Sequence, residues 1–198
     1  MKNNIYNLTL TALMAAILCI VGPWIIPIGV IPISLTNMAV YLTIILLDKK
    51  NAMISVALYL LIGFVGLPVF SGFSGGAGKV FGPTGGYLLG YLVLTKIAGS
   101  VLMICEEKTK KKDEISGEGA ENKKQNVKDR VRRQIFALVL GTLGLYLFGT
   151  LWLMFQSKLG FLAAVSVGVI PFVVFDVMKI VVAVFLGNEV KKRMRDIV

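Results

Sequence analysis

Residues 67–91 read LPVFSGFSGGAGKVFGPTGGYLLGY, a glycine-rich segment set between long apolar runs. Residues 66–90 hold nine of the chain's 21 glycines. Glycine reaches backbone angles that other residues avoid and lets another segment or a ligand come close. Such a cluster between two membrane-length segments predicts a shaped, irregular loop. Irregular backbone at a membrane persists only where protein or a watery cavity covers its polar groups. The segment therefore reads as one wall of a binding site, and the runs on either side decide what kind of fold carries it.

Those runs are apolar enough to set the class. Of 198 residues, 56% are hydrophobic, and the mean hydropathy is +0.79. That balance points to an integral membrane protein rather than a soluble domain. Crossing about 30 Å of hydrocarbon takes roughly 20 apolar residues in a helix. Six candidate spans fit, at about 5–26, 34–48, 51–67, 84–105, 133–156 and 161–187. The expected fold is an all-α bundle of six transmembrane helices in a single membrane domain over 1–198. The first run lacks a small-residue cleavage site, so it reads as a span rather than a signal peptide.

The net charge of +10 is sorted by position. Of the 21 Lys and Arg, 17 lie at Lys2, at Lys49 and Lys50, between Lys108 and Arg133, and in the KKRMR tail. In a six-span topology all four places fall on one side, opposite Lys79 and Lys158. Positive charge stays cytoplasmic, which predicts both termini inside. The basic surface is then explained by topology and anionic membrane lipid, not by nucleic acid. The polar stretch 106–132 is too charged to bury a core and reads as a mobile cytoplasmic loop or a partner contact.

Catalytic inventory is poor. There is no histidine, which removes the commonest general base and metal ligand. Cys19 and Cys105 have no metal spacing. GGAGK at 75–79 resembles the end of a phosphate loop. The pattern needs Gly at 73 and Ser or Thr at 80, where the chain has Phe73 and Val80. With no other such motif, the chain reads as no enzyme and no ATPase.

Asp176 is the single acid well inside a span, and Lys179 follows at i+3 on the same helix face. Charges at that depth are costly and mark either a ligand site or a structural ion pair. Lys96, also within a span, either snorkels or pairs with Asp176. GPWIIPIGVIPIS at 22–34 holds Pro23, Pro27 and Pro32 and cannot continue a helix. It reads as a lid over a cavity or as an interfacial loop anchored by Trp24. Gly82, Gly86 and Gly90 share a helix face, which allows close packing or close ligand approach. Ala12 and Ala16 form a flat strip on the first helix where another helix can dock.

Together these features resemble the BioY family, the biotin-binding S components of energy-coupling factor (ECF) transporters. GLPVFSGFSGG (66–76) and GPTGGY (82–87) carry most of the resemblance, with IPIGVIPISLTN (26–37), the Ala12–Ala16 strip and PFVVFDVMK (171–179). It implies a plasma-membrane protein that captures biotin from outside. A transmembrane coupling protein and two cytoplasmic ATPases would drive release inward. By similarity, Asp176, Lys179, Tyr87, Ser74, Gly75 and Gly76 contribute to the biotin site, and Ala12 and Ala16 face the coupling protein. No cofactor or metal is implied. The remaining alternatives are an S component for another vitamin or a small secondary transporter. The second usually shows paired broken helices, whereas this chain has one glycine-rich break.

Overall fold

The computed structural model describes residues 2–28, 31–116 and 123–197. The chain runs α1 (Lys2–Val21), β1 (Ile25–Ile28), β2 (Ile31–Ser34), α2 (Thr36–Leu46), α3 (Lys49–Val65) and α4 (Ala77–Val80). It continues through α5 (Gly85–Ser116), α6 (Lys123–Ser157), α7 (Phe161–Gly168) and α8 (Ile170–Ile197). Among the described residues, three helices are long and apolar enough to cross a membrane, at Gly85–Thr109, Val127–Ser157 and Ile170–Met194. Ile5–Val21 and Thr36–Leu46 are shorter apolar helices. The chain is a helical membrane protein.

The short elements have a physical reason. The 11 residues of α2 span only about 16 Å at 1.5 Å per residue. A hairpin leads directly into α2, and the glycine-rich loop is hydrogen-bonded beside it. β1 and β2 pair antiparallel, with Ile26 opposite Ile33 and Pro27 opposite Pro32. Prolines remove donors from a ladder, which a two-stranded hairpin with two free edges tolerates. The proline-rich segment expected as a lid or loop is thus a hairpin, a strand element added to the all-α expectation. Gly29 and Val30, between the strands in sequence, lie outside the described residues.

A second difference concerns 106–132, expected as a loop. α5 continues to Ser116 and α6 begins at Lys123, so most of the segment is helical; 117–122 lies outside the described residues. Glu, Lys, Arg and Gln are strong helix formers, and here they prolong the membrane helices beyond their apolar parts. The Arg133 guanidinium ties the two extensions by donating to the Cys105 carbonyl at 3.2 Å and to the Thr109 hydroxyl. A third difference is the break between α7 and α8 at Val169. Pro171 has no N–H with which to continue the preceding helix.

The most extensive pairing is α5 with α6, followed by α2 with α8. Small residues permit the first: the Trp152 ring lies against Gly86, and Leu145 against Gly90. Gly82 precedes α5, and its carbonyl accepts from Trp152 Nε1 at 3.0 Å. Leu18, Val40, Val56, Leu94, Leu138 and Val184 are fully buried in the core.

The glycine-rich loop is ordered from within. Phe70 is fully buried, edge-on to Tyr59 at 5.5 Å between ring centres. Its ring occupies the space that a side chain at Gly63 would need. Gly76 adopts φ +89, a conformation that favours glycine, and its N–H reaches the Gly63 carbonyl at 2.7 Å. Loop and hairpin are clasped together. Gly72 N–H donates to the Pro23 carbonyl at 2.9 Å, Ser71 Oγ donates to Ser34 Oγ at 2.9 Å, and Phe73 meets Trp24 edge-on.

Candidate functional site

Beneath this clasp lies a buried polar cluster in an apolar bundle. Asp176, six residues into α8, is 2% exposed. Lys179, one turn on, donates from Nζ to Asp176 Oδ1 at 2.9 Å and is itself 9% exposed. The other carboxylate oxygen accepts twice. Asn37 Nδ2 of α2 donates at 3.0 Å and the Tyr146 hydroxyl of α6 at 2.6 Å. Tyr91 of α5 then donates to Asn37 Oδ1 at 2.7 Å, which fixes the orientation of the Asn37 amide. Four helices therefore converge on one carboxylate.

A buried ion pair is costly unless further hydrogen bonds complete it. Here they do, and the result is a charged group held in one orientation in a dry setting. Such an arrangement suits a small polar ligand that carries both hydrogen-bond donors and acceptors. The carboxylate accepts, while the ammonium and the Asn37 amide donate.

The cluster is linked to the clasp above it. The Thr36 hydroxyl, adjacent in sequence to Asn37, donates to the Gly22 carbonyl at 3.2 Å. It also lies 2.6 Å from Ser34 Oγ, which accepts from Ser71. Polar contacts thus join the glycine loop and hairpin to Thr36 at the start of α2, and its neighbour in the chain, Asn37, reaches Asp176.

Of the residues singled out from sequence, Asp176 and Lys179 come together as the core of this cluster. Tyr87 does not hydrogen-bond to them. Its ring packs on Gly149, and its hydroxyl meets Thr150 at 3.3 Å and abuts Gly168, at the junction of α5, α6 and α7. Ser74, Gly75 and Gly76 shape the loop. Ser74 Oγ donates to the Ser71 carbonyl at 2.9 Å, and the Gly75 backbone lies against the Leu67 carbonyl. None of the three hydrogen-bonds to Asp176 or Lys179. Lys96 is exposed on the outside of α5 and makes no ion pair with Asp176, so pairing is excluded and it faces away from the bundle. Ala12 and Ala16 are both exposed on α1.

Asn37, Tyr91 and Tyr146 escaped the sequence reading. Uncharged polar residues in a span are not costly enough to stand out. The one available signal was Asn37, an amide opening an otherwise apolar helix directly after the proline-rich segment.

A sequence profile described as the BioY family matches residues 1–196. The chain belongs to the BioY family. Among individual members, the chain is 33% identical over 186 residues to biotin transporter BioY2 of Lactococcus lactis subsp. cremoris, covering 94% of this chain and 90% of that protein. It is 36% identical over 181 residues to biotin transporter BioY of Thermotoga maritima, covering 88% and 90%. The fold is similar to a crystal structure of the S-component for biotin from an ECF-type ABC transporter. That match has a TM-score of 0.78 and 28% identity, over 96% of this chain and 93% of the other.

Proposed function

We propose that this chain is the biotin-binding S component of an ECF-type vitamin uptake transporter. The observation that carries the reading is the buried Asp176, held by three donors under the hairpin–loop clasp. Biotin has a ureido ring with N–H donors and a carbonyl acceptor, and an apolar chain ending in a carboxylate. Asp176 accepts from a ureido N–H, and Lys179 donates to an oxygen of the ligand. Ser74, Gly75 and Gly76 cover the site through the loop they shape, and Tyr87 supports it from the α5–α6 junction. Family membership at these levels of identity supports the substrate class.

The rest of the assignment follows from the same reading. α7 and α8 together make the sixth crossing after α1, α2, α3, α5 and α6. Both termini are cytoplasmic, and the hairpin–loop end faces outward in the plasma membrane. Biotin taken up there is moved inward by a transmembrane coupling protein and two cytoplasmic ATPases, with the coupling protein docked at Ala12 and Ala16.

The direct experiment is to purify the protein and titrate biotin, thiamin and riboflavin while following thermal stability. Biotin alone should raise the melting temperature. Asp176→Asn should weaken biotin binding at least about tenfold, the factor that one charge-assisted hydrogen bond of roughly 1.4 kcal/mol represents. Equal affinity in the variant, or a preference for another vitamin, would overturn the assignment.

A further inference from the structure

Asp176 is too enclosed to be reached as it stands. It is 2% exposed, and three side chains donate to its two oxygens. Oδ2 already accepts from both Asn37 and Tyr146, so a ligand N–H reaches that oxygen only where one of its donors withdraws. The three are not equally held. Lys179 lies on the same helix and supplies the counter-charge, so its withdrawal would leave a buried charge unpaired. Asn37 is locked from behind by Tyr91. The Tyr146 hydroxyl has Asp176 as its partner, and both side chains border an open groove of about 150 Å³, so the tyrosine has free space beside it.

Tyr146 is also a tie between helices. α6 and α8 pack far less closely with each other than α6 does with α5. Among the described residues, two side-chain hydrogen-bonded ties cross their seam. One is Tyr146 to Asp176. The other is Gln134 with Asn188, whose amides exchange hydrogen bonds at 3.3 and 2.7 Å. The groove runs along this seam, lined by Asp176 together with Val139, Thr142, Leu143, Val173 and Val177.

We propose that Tyr146 is the exchangeable donor of the site. The ligand's N–H replaces the Tyr146 hydroxyl on Asp176, and this exchange releases the Asp176 end of the α6–α8 seam while Gln134 and Asn188 hold the other end. The identity of the ligand rests on the biotin reading above. The exchange makes a prediction of unusual sign. Removing the hydroxyl removes a contact that the ligand has to displace, so binding improves. A residue that merely supported Asp176 would weaken binding when cut.

The test is biotin titration and stopped-flow association on the protein in lipid nanodiscs, wild type against Tyr146→Phe. The variant should bind about tenfold tighter, the worth of one charge-assisted hydrogen bond, and associate faster. Unchanged or weaker binding overturns the proposal. A second measurement covers a variant that fails to fold. Spin labels at Leu143 and Val177, with Cys19 and Cys105 replaced by alanine, report the seam while Tyr146 is intact. Saturating biotin should lengthen their separation, and an unchanged distance distribution sinks the exchange. Wild-type protein that ignores biotin fails both this proposal and the functional reading. Wild-type binding with a weakened Tyr146→Phe fails the exchange alone.

Discussion

A single carboxylate organises this molecule, and its surroundings decide what each neighbour is worth. Lys179 neutralises Asp176 where water is excluded. Removing one partner of a buried pair leaves an uncompensated charge, at a cost of roughly 3–5 kcal/mol. Lys179→Met should therefore lower thermal stability sharply, while Lys179→Met combined with Asp176→Asn should recover much of the loss. A double-mutant cycle on melting temperatures checks this, and strictly additive losses would show that the two side chains do not interact. Lys96→Ala should leave biotin affinity unchanged, because that lysine points out of the bundle. A large affinity loss would place Lys96 in the site after all. The Asp176–Lys179 pair was legible in sequence because charge inside a span is rare and expensive. Asn37, Tyr91 and Tyr146 were not, because an amide or a phenol is tolerated in many apolar helices and shows its purpose only when folding brings four helices together.

At the level of elements, the loop and hairpin act as one unit. Phe70 anchors the loop to α3 from inside, against Tyr59 and over Gly63. Phe70→Ala should cost roughly 3–5 kcal/mol, the usual range for emptying a fully buried aromatic site. Hydrogen exchange should show where the loss falls: faster at 66–84 and in the hairpin, with the long helices little changed. Uniform acceleration across the protein would mean that Phe70 supports the whole core instead. The need for an irregular loop at 66–84 was visible in its glycines, whereas its inner anchoring by Phe70 was not, since aromatic residues there equally suit a ligand pocket. The hairpin was hidden by its prolines, which normally argue against a strand and are tolerated here because both of its edges are free. The helical extensions of α5 and α6 were hidden by their charge, which reads as a solvated linker although Glu, Lys and Arg favour helix.

For the molecule as a whole, the polar cluster lies toward the hairpin–loop end of the bundle, while α1 carries a separate feature along its outer side. Ala12 and Ala16 are exposed on α1, flanked by Leu8 and Leu13, which are 70% and 53% exposed. In a membrane, apolar exposure alone is no sign of a partner, because lipid covers it. The strip differs in being small: two alanines one turn apart leave a flat track along which another helix can approach closely, and packing of that kind drives helix association where the hydrophobic effect cannot. A bulky ring on the track should block a helix but not lipid. Ala12→Trp and Ala16→Trp are therefore expected to insert, fold and bind biotin with wild-type affinity while failing to assemble with the coupling protein and ATPases. Co-purification of the tagged variants with those partners, alongside biotin titration of the same preparations, separates the outcomes. Normal assembly would return the strip to lipid. Lost assembly with intact binding would show that capture and coupling are carried by different parts of the molecule.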